Sequence, residues 1–105
     1  MRKNNSMGGC VVSNNLLNSK GSLKWCFREM PINSIDTGWR FLSDTDTDEY
    51  LSNPANSSVC SIENMIQIEP AILSILDLPV NSDLTFVFDG KKRYFINNQD
   101  NSIIR

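Results

Sequence analysis

Histidine is absent from this 105-residue chain. Its absence removes Ser-His-Asp and Cys-His arrangements, His-ligated zinc, and the usual general base near neutral pH. Cysteine is scarce and odd in number, with Cys10, Cys26 and Cys60 and no C-x-x-C pair. Neither a disulfide framework nor a zinc knuckle is signalled. Each cysteine lies among apolar neighbours and reads as a small reduced core residue; as a nucleophile it would lack a histidine to activate it. A basic surplus is missing too: ten Lys and Arg stand against twelve Asp and Glu, a formal net charge of −2. That balance speaks against nucleic acid as a partner. No stretch approaches the roughly 20 apolar residues of a membrane span. The basic start Met1-Arg2-Lys3 is not followed by the roughly 7–15 apolar residues of a signal peptide. These absences predict a cytoplasmic protein with no nucleic-acid and no membrane partner.

What is present fits one globular domain: the chain is 40% hydrophobic and 21% charged. Residues 1–7 are expected to be a flexible N-terminus and 8–105 a single α+β domain. Gly9 to Ser13 is a β-branched run bounded by glycines and asparagines, and reads as a strand. Leu23 to Glu29 alternates, with Leu23, Trp25 and Phe27 on one face and Lys24, Cys26 and Arg28 on the other. Turn chemistry over Asn18–Ser22 suggests that these two strands pair antiparallel. Trp39 and Phe41 resume the alternation, both inward. Asp46 or Thr47 can cap one helical turn containing Asp48 and Glu49. Two short helices are expected at about 61–68 and 70–77: Ser61 is a plausible N-cap, Pro70 a first helical residue, and apolar residues recur three and four apart. Asp89-Gly90 marks a C-terminal hairpin. A three-residue loop is preferred there because it sets Phe86 opposite Tyr94 and Leu84 opposite Ile96. The predicted architecture is a mainly antiparallel sheet with both helices packed on one face. Its core is expected from Trp25, Phe27, Trp39, Phe41, Ile62, Ile66, Ile72, Leu76, Phe86 and Phe88.

Several segments together resemble one bacterial family, first catalogued as a domain of unknown function and later assigned to the immunity proteins of polymorphic-toxin systems. They are Gly8-Gly9-Cys10-Val11-Val12-Ser13, Trp25-Cys26-Phe27-Arg28-Glu29, Asp36-Thr37-Gly38-Trp39-Arg40-Phe41, Ser43, Asp48-Glu49-Tyr50-Leu51, Asn53-Pro54-Ala55-Asn56, Pro70 to Leu76, and Pro79. The match covers roughly residues 8 to 88 in a consistent order. Two positions depart from the family pattern: Asp44 and Asn81 stand where it favours glycine, and both residue types tolerate left-handed backbone better than most. The resemblance implies a binding role toward a toxin.

Asp44-x-Asp46-x-Asp48 opens like an EF-hand loop, but Glu49 and Ala55 occupy the places where that loop needs glycine and a bidentate glutamate. The segment reads either as a solvated acidic loop or as a docking surface whose carboxylates enter a cationic site on a partner. In Asp36-Thr37-Gly38-Trp39-Arg40, the structural reading anchors Trp39 in the core, uses Gly38 for a tight approach, and pairs Asp36 with Arg28 or Arg40. The functional reading exposes Trp39 or Arg40 as an interface residue. Phe41, two residues on, suggests the buried face for Trp39, so Arg40, which points the other way, is the better candidate. Candidate partner-binding residues are therefore Arg28, Arg40, Asp44, Asp46, Asp48, Glu49 and Tyr50, with Asp36, Gly38 and Trp39 as a structural motif. No catalytic residue, metal site or cofactor is expected. The leading functional reading is a non-catalytic immunity protein that binds a cognate toxin. A structural or regulatory interaction domain unrelated to toxins is the alternative, and an enzyme stands third.

Overall fold

The computed structural model describes residues 7–105. The flexible segment expected at 1–7 lies outside the described residues apart from Met7, whose N–H donates to Glu63 Oε2 at 3.1 Å. Seven strands form one sheet: β1 (Gly9–Ser13), β2 (Leu23–Arg28), β3 (Asp36–Ser43), β4 (Ser57–Ser61), β5 (Asp83–Phe88), β6 (Arg93–Asn97) and β7 (Ile103–Ile104). Their spatial order is β4-β1-β3-β2-β5-β6-β7. Only β1 and β3 run parallel; the other five pairings are antiparallel. The fold is α+β, as the sequence predicts.

β1 and β2 are not neighbours, against expectation, because β3 inserts between them. A short helix, α1 (Asn14–Leu17), opens where Ser13 Oγ accepts from the Asn15 N–H at 3.2 Å. α1 buries Leu16, and the chain re-enters the sheet one strand further over. β2 departs from its expected alternation as well. A register shift between Leu23 and Trp25 reverses the sides that follow it. Leu23 and Cys26 are buried, whereas Trp25 is 38% exposed and Phe27 is half-buried on the opposite face. The expected inward placement of Trp25 and Phe27 is thereby corrected.

The helical middle follows its caps. Thr47 Oγ1 accepts from the Tyr50 N–H to start α2 (Asp48–Leu51), and Ser61 Oγ accepts from the Asn64 N–H to start α3 (Ile62–Ile68). Pro70–Ser74 is a 3₁₀ turn and not the α-helix expected to 77. The buried pair Ile72 and Ile75 is three apart with Leu73 turned to solvent, which is the three-residue period of that tighter winding. Asn81 adopts φ +80°, a left-handed position that asparagine tolerates.

The hairpin loop is four residues long, Asp89–Lys92, so Phe86 faces Phe95 and Leu84 faces Asn97. Local bonds override the three-residue expectation. Asp89 Oδ1 accepts from the N–H groups of Lys91 (3.0 Å) and Lys92 (2.8 Å), and Gly90 takes φ +92°. The resulting register brings the rings of Phe86 and Phe95 to 5.0 Å. Phe88 is left exposed beneath the Arg93 guanidinium, 4.3 Å from its ring centroid, and does not join the core as expected. Ile103 and Ile104 add the last edge strand.

One face of the sheet carries the core. Val12, Cys26, Trp39, Phe41, Leu84, Phe86 and Phe95 pack there with Leu16, Ile62, Met65, Ile72 and Ile75; the expected Ile66 and Leu76 flank it half-buried. The opposite face presents Val59, Val11, Arg40 and Phe27 in one row and Leu42, Trp25, Thr85, Ile96 and Ile103 in the next. Among the described residues, no buried helical side chain belongs to that second face.

Candidate functional site

Arg40 is 6% exposed on the second sheet face and anchors the most tightly bonded charge cluster in the described chain. Its Nη1 and Nη2 donate to the two oxygens of Asp36 at 2.9 and 2.8 Å, its Nε donates to Glu29 Oε2 at 2.6 Å, and Nη1 also reaches the Trp39 carbonyl. This two-pronged geometry is what a planar guanidinium does best. The Arg40 bonds hold the Asp36 carboxyl well below the usual carboxylate range, and Asp36 in turn raises the Arg40 pKa. Both stay charged. Of the two pairings left open by the sequence, Asp36 takes Arg40. The expected exposure of Arg40 is corrected: it lies beneath the surface because Asp36 and Glu29 satisfy its charge there.

Asp36 carries a second task. Its Oδ2 accepts from the Ile32 N–H (3.0 Å) and its Oδ1 from the Gly38 N–H (3.0 Å). Asn33 Oδ1 accepts from the N–H groups of Ile35 and Asp36. Gly38 sits at φ +90°, and a Cβ there would collide with the Glu29 carbonyl oxygen, so the motif demands glycine. The β2–β3 loop is thus pinned from three sides. From it Met30, Ile32 and Ile35 project at 73%, 76% and 72% exposure. Sequence reasoning passed over these three. Their signal was available: three large apolar side chains between Glu29 and Asp36 that obey neither a helical nor a strand period.

The acidic segment divides into bonded and free carboxylates. Asp46 accepts from Ser13 Oγ and Asn15 Nδ2 (both 2.8 Å) and from the Ser43 N–H (2.7 Å), which ties β1, α1 and β3 together. Asp44 accepts from the Ser22 N–H and Ser43 Oγ. The expectation that Asp46 is exposed is corrected; it is half-buried, and both its oxygens face protein donors. Asp48 and Glu49 stand exposed in the first turn of α2, where the helix dipole favours them. Tyr50 is half-buried, and its carbonyl accepts from Asn56 Nδ2. This end of β3 and the Asp36 end lie at opposite ends of the eight-residue strand.

Arg28 works inside the fold. Its Nε donates to the Thr37 carbonyl at 2.8 Å and its Nη1 to the Leu78 carbonyl at 2.7 Å, while its guanidinium lies 5.9 Å from the Trp39 ring. It clamps the segment after the 3₁₀ turn onto the sheet. Burial pushes the thiols of Cys10, Cys26 and Cys60 up, Cys10 to about 12, so they are protonated at neutral pH and poorly nucleophilic. An open groove on the core side is lined by Leu16, Leu23, Phe86 and Phe88, with Arg93 paired to Glu69 at 3.3 Å. Together these features describe a small protein whose polar side chains are spent on holding surfaces in shape.

The family model of the immunity protein Imm33 domain matches residues 10–97. The chain belongs to the Imm33 immunity protein domain family. No curated protein and no solved structure matches it.

Proposed function

We propose that this protein neutralises a cognate bacterial toxin of a polymorphic-toxin system by binding it directly in the cytoplasm, without catalysis of its own. Membership of the Imm33 family is the observation that carries this reading. The disposition of the surface supports it. The β2–β3 loop offers three apolar side chains on a backbone fixed by Asn33, Asp36 and Arg40, and a preorganised apolar anchor loses little entropy on docking. Asp48 and Glu49, with Asp44 beside them, supply a negative shoulder that steers a cationic toxin surface. Tyr50 borders that shoulder. Arg28, Arg40 and Asp46 act from beneath, as positioning residues.

Co-expression with the toxin encoded by the neighbouring gene tests the reading. Cells should survive only in the presence of this protein, and a stoichiometric complex should be recovered. Equal killing with and without it, and no complex, would leave an interaction domain unrelated to toxins in its place.

A further inference from the structure

Ladder parity determines which backbone groups of the edge strand β4 are taken. The Ile62 N–H donates to the Gly8 carbonyl at 2.9 Å, and the antiparallel register runs unbroken from Gly9↔Ser61 to Ser13↔Ser57. Every second residue of such a pair turns its backbone to its neighbour. Ser58 and Cys60 therefore face β1, and Ser57, Val59 and Ser61 turn outward from the sheet edge. Two of these six outward groups are used within the chain. The Ser57 N–H donates to the Pro54 carbonyl. The Ser61 carbonyl, at the N-cap of α3, accepts the first helical bond and lies 3.8 Å from the Cys10 thiol. Four remain: the N–H groups of Val59 and Ser61 and the carbonyls of Ser57 and Val59. Among the described residues nothing bonds to them.

That set is self-complementary. Rotating a second β4 about a two-fold axis through Val59 brings each Val59 N–H to the other Val59 carbonyl. It also brings each Ser61 N–H to the other Ser57 carbonyl. The two groups this pairing leaves unbonded, the Ser57 N–H and the other copy's Ser61 carbonyl, face each other across it, and both are already satisfied at home. An arbitrary strand would set unmatched groups against those positions. Native edges are ordinarily guarded by charge, proline or a bulge; Ser57–Ser61 has none, and Val59 is 80% exposed. No charged residue lies from Asn53 to Ile62, so two copies of net charge −2 meet here without like charges in register.

We propose that β4 is a homodimerisation edge, pairing antiparallel with β4 of a second copy about Val59 to give one continuous sheet. Four backbone bonds and a valine pair cover less than the roughly 1,000 Å² of a stable interface, so the dimer exchanges with monomer. This inference does not depend on toxin binding.

Sedimentation equilibrium should show the mass rising from 11.9 kDa toward twice that value between about 10 μM and about 1 mM, the range of weak complexes. Val59→Lys should stay monomeric with an unchanged melting temperature. The register places Ser58 opposite the partner's Cys60 in a non-hydrogen-bonded pair with Cα atoms about 4.5 Å apart, inside the reach of a disulfide. Under mild oxidation, Ser58→Cys should give a covalent dimer whose bridge maps to positions 58 and 60. Leu73→Cys, exposed on the 3₁₀ turn, should cross-link much more slowly. A constant monomer mass over the whole range, a Val59→Lys variant that still dimerises, or equal cross-linking of the two cysteine variants would each overturn the proposal.

Discussion

Asp36 and Arg40 are four residues apart on one strand, yet their side chains meet through two hydrogen bonds of 2.9 and 2.8 Å. Fully extended backbone would separate them by roughly 13 Å. The approach is made possible at Gly38: β1 advances from Gly9 to Val11 while β3 advances from Asp36 to Arg40, so the extra backbone bulges at the glycine. The ion pair, the bulge and the fixed loop are one construction.

Removing Arg40 should therefore be costly. Arg40→Ala leaves the Asp36 carboxylate buried without its partner, a change expected to cost about 3–5 kcal/mol, a large share of a small domain's stability. Glu29 is about half exposed, at 54% of its side chain, so Glu29→Ala should cost about 0–1 kcal/mol. Urea denaturation midpoints separate the two.

Acid should act through the same pair. Because Asp36 is held below its usual range by Arg40, the folded state releases this proton more readily than the unfolded state, where Asp titrates near about 3.9. The stabilisation is full above about pH 5 and is lost as pH falls through about 4 toward the lower folded value. The gap between wild-type and Asp36→Asn midpoints should be widest at neutral pH and narrow steadily on acidification. A gap independent of pH would remove Asp36 from this role.

The two tryptophans should respond unequally to truncation. Trp39 is 1% exposed, stacks at 6.0 Å on Phe41 and donates its indole N–H to the Leu76 carbonyl. Trp39→Ala should cost about 3–5 kcal/mol. Trp25→Ala, on the open face, should cost less than half as much. Chemical denaturation of the two variants compares them directly.

Within the acidic segment, charge reversal should split in two. Asp48→Lys and Glu49→Lys lose a favourable dipole interaction and little else, about 0.3–1 kcal/mol each, while slowing toxin association and reducing its salt dependence. Asp46→Lys removes three accepted bonds and should unfold the protein at lower urea than any other reversal here. Urea denaturation midpoints and stopped-flow association at two salt concentrations provide the readouts.

Local chemistry was legible in the sequence and partnership between distant segments was not. The capping hydroxyls of Thr47 and Ser61 announced their helices because a cap and its N–H target lie within three residues. Trp39 and Phe41 announced their buried face through strand alternation. The alternation of β2 misled at Trp25 because a bulge is set by the neighbouring strand and leaves no mark in composition. The insertion of β3 between β1 and β2 depends on contacts far apart in sequence, which turn residues do not encode. Arg40 misled for a related reason: its burial requires Asp36 and Glu29 to converge on it, and periodicity assigns a residue to a face without saying whether that face is wet.

The one-sided packing of the sheet also gives this protein a pair of built-in optical probes. Trp39 sits in the core and Trp25, 38% exposed, on the opposite face of the sheet, so their indoles fluoresce from two different environments, the buried one bluer. Unfolding should shift the emission of Trp39 to the red, whereas a molecule settling over the open face should shift Trp25 to the blue. With either tryptophan replaced by phenylalanine, the remaining colour would tell an experimenter which side of the sheet had changed, with no dye attached.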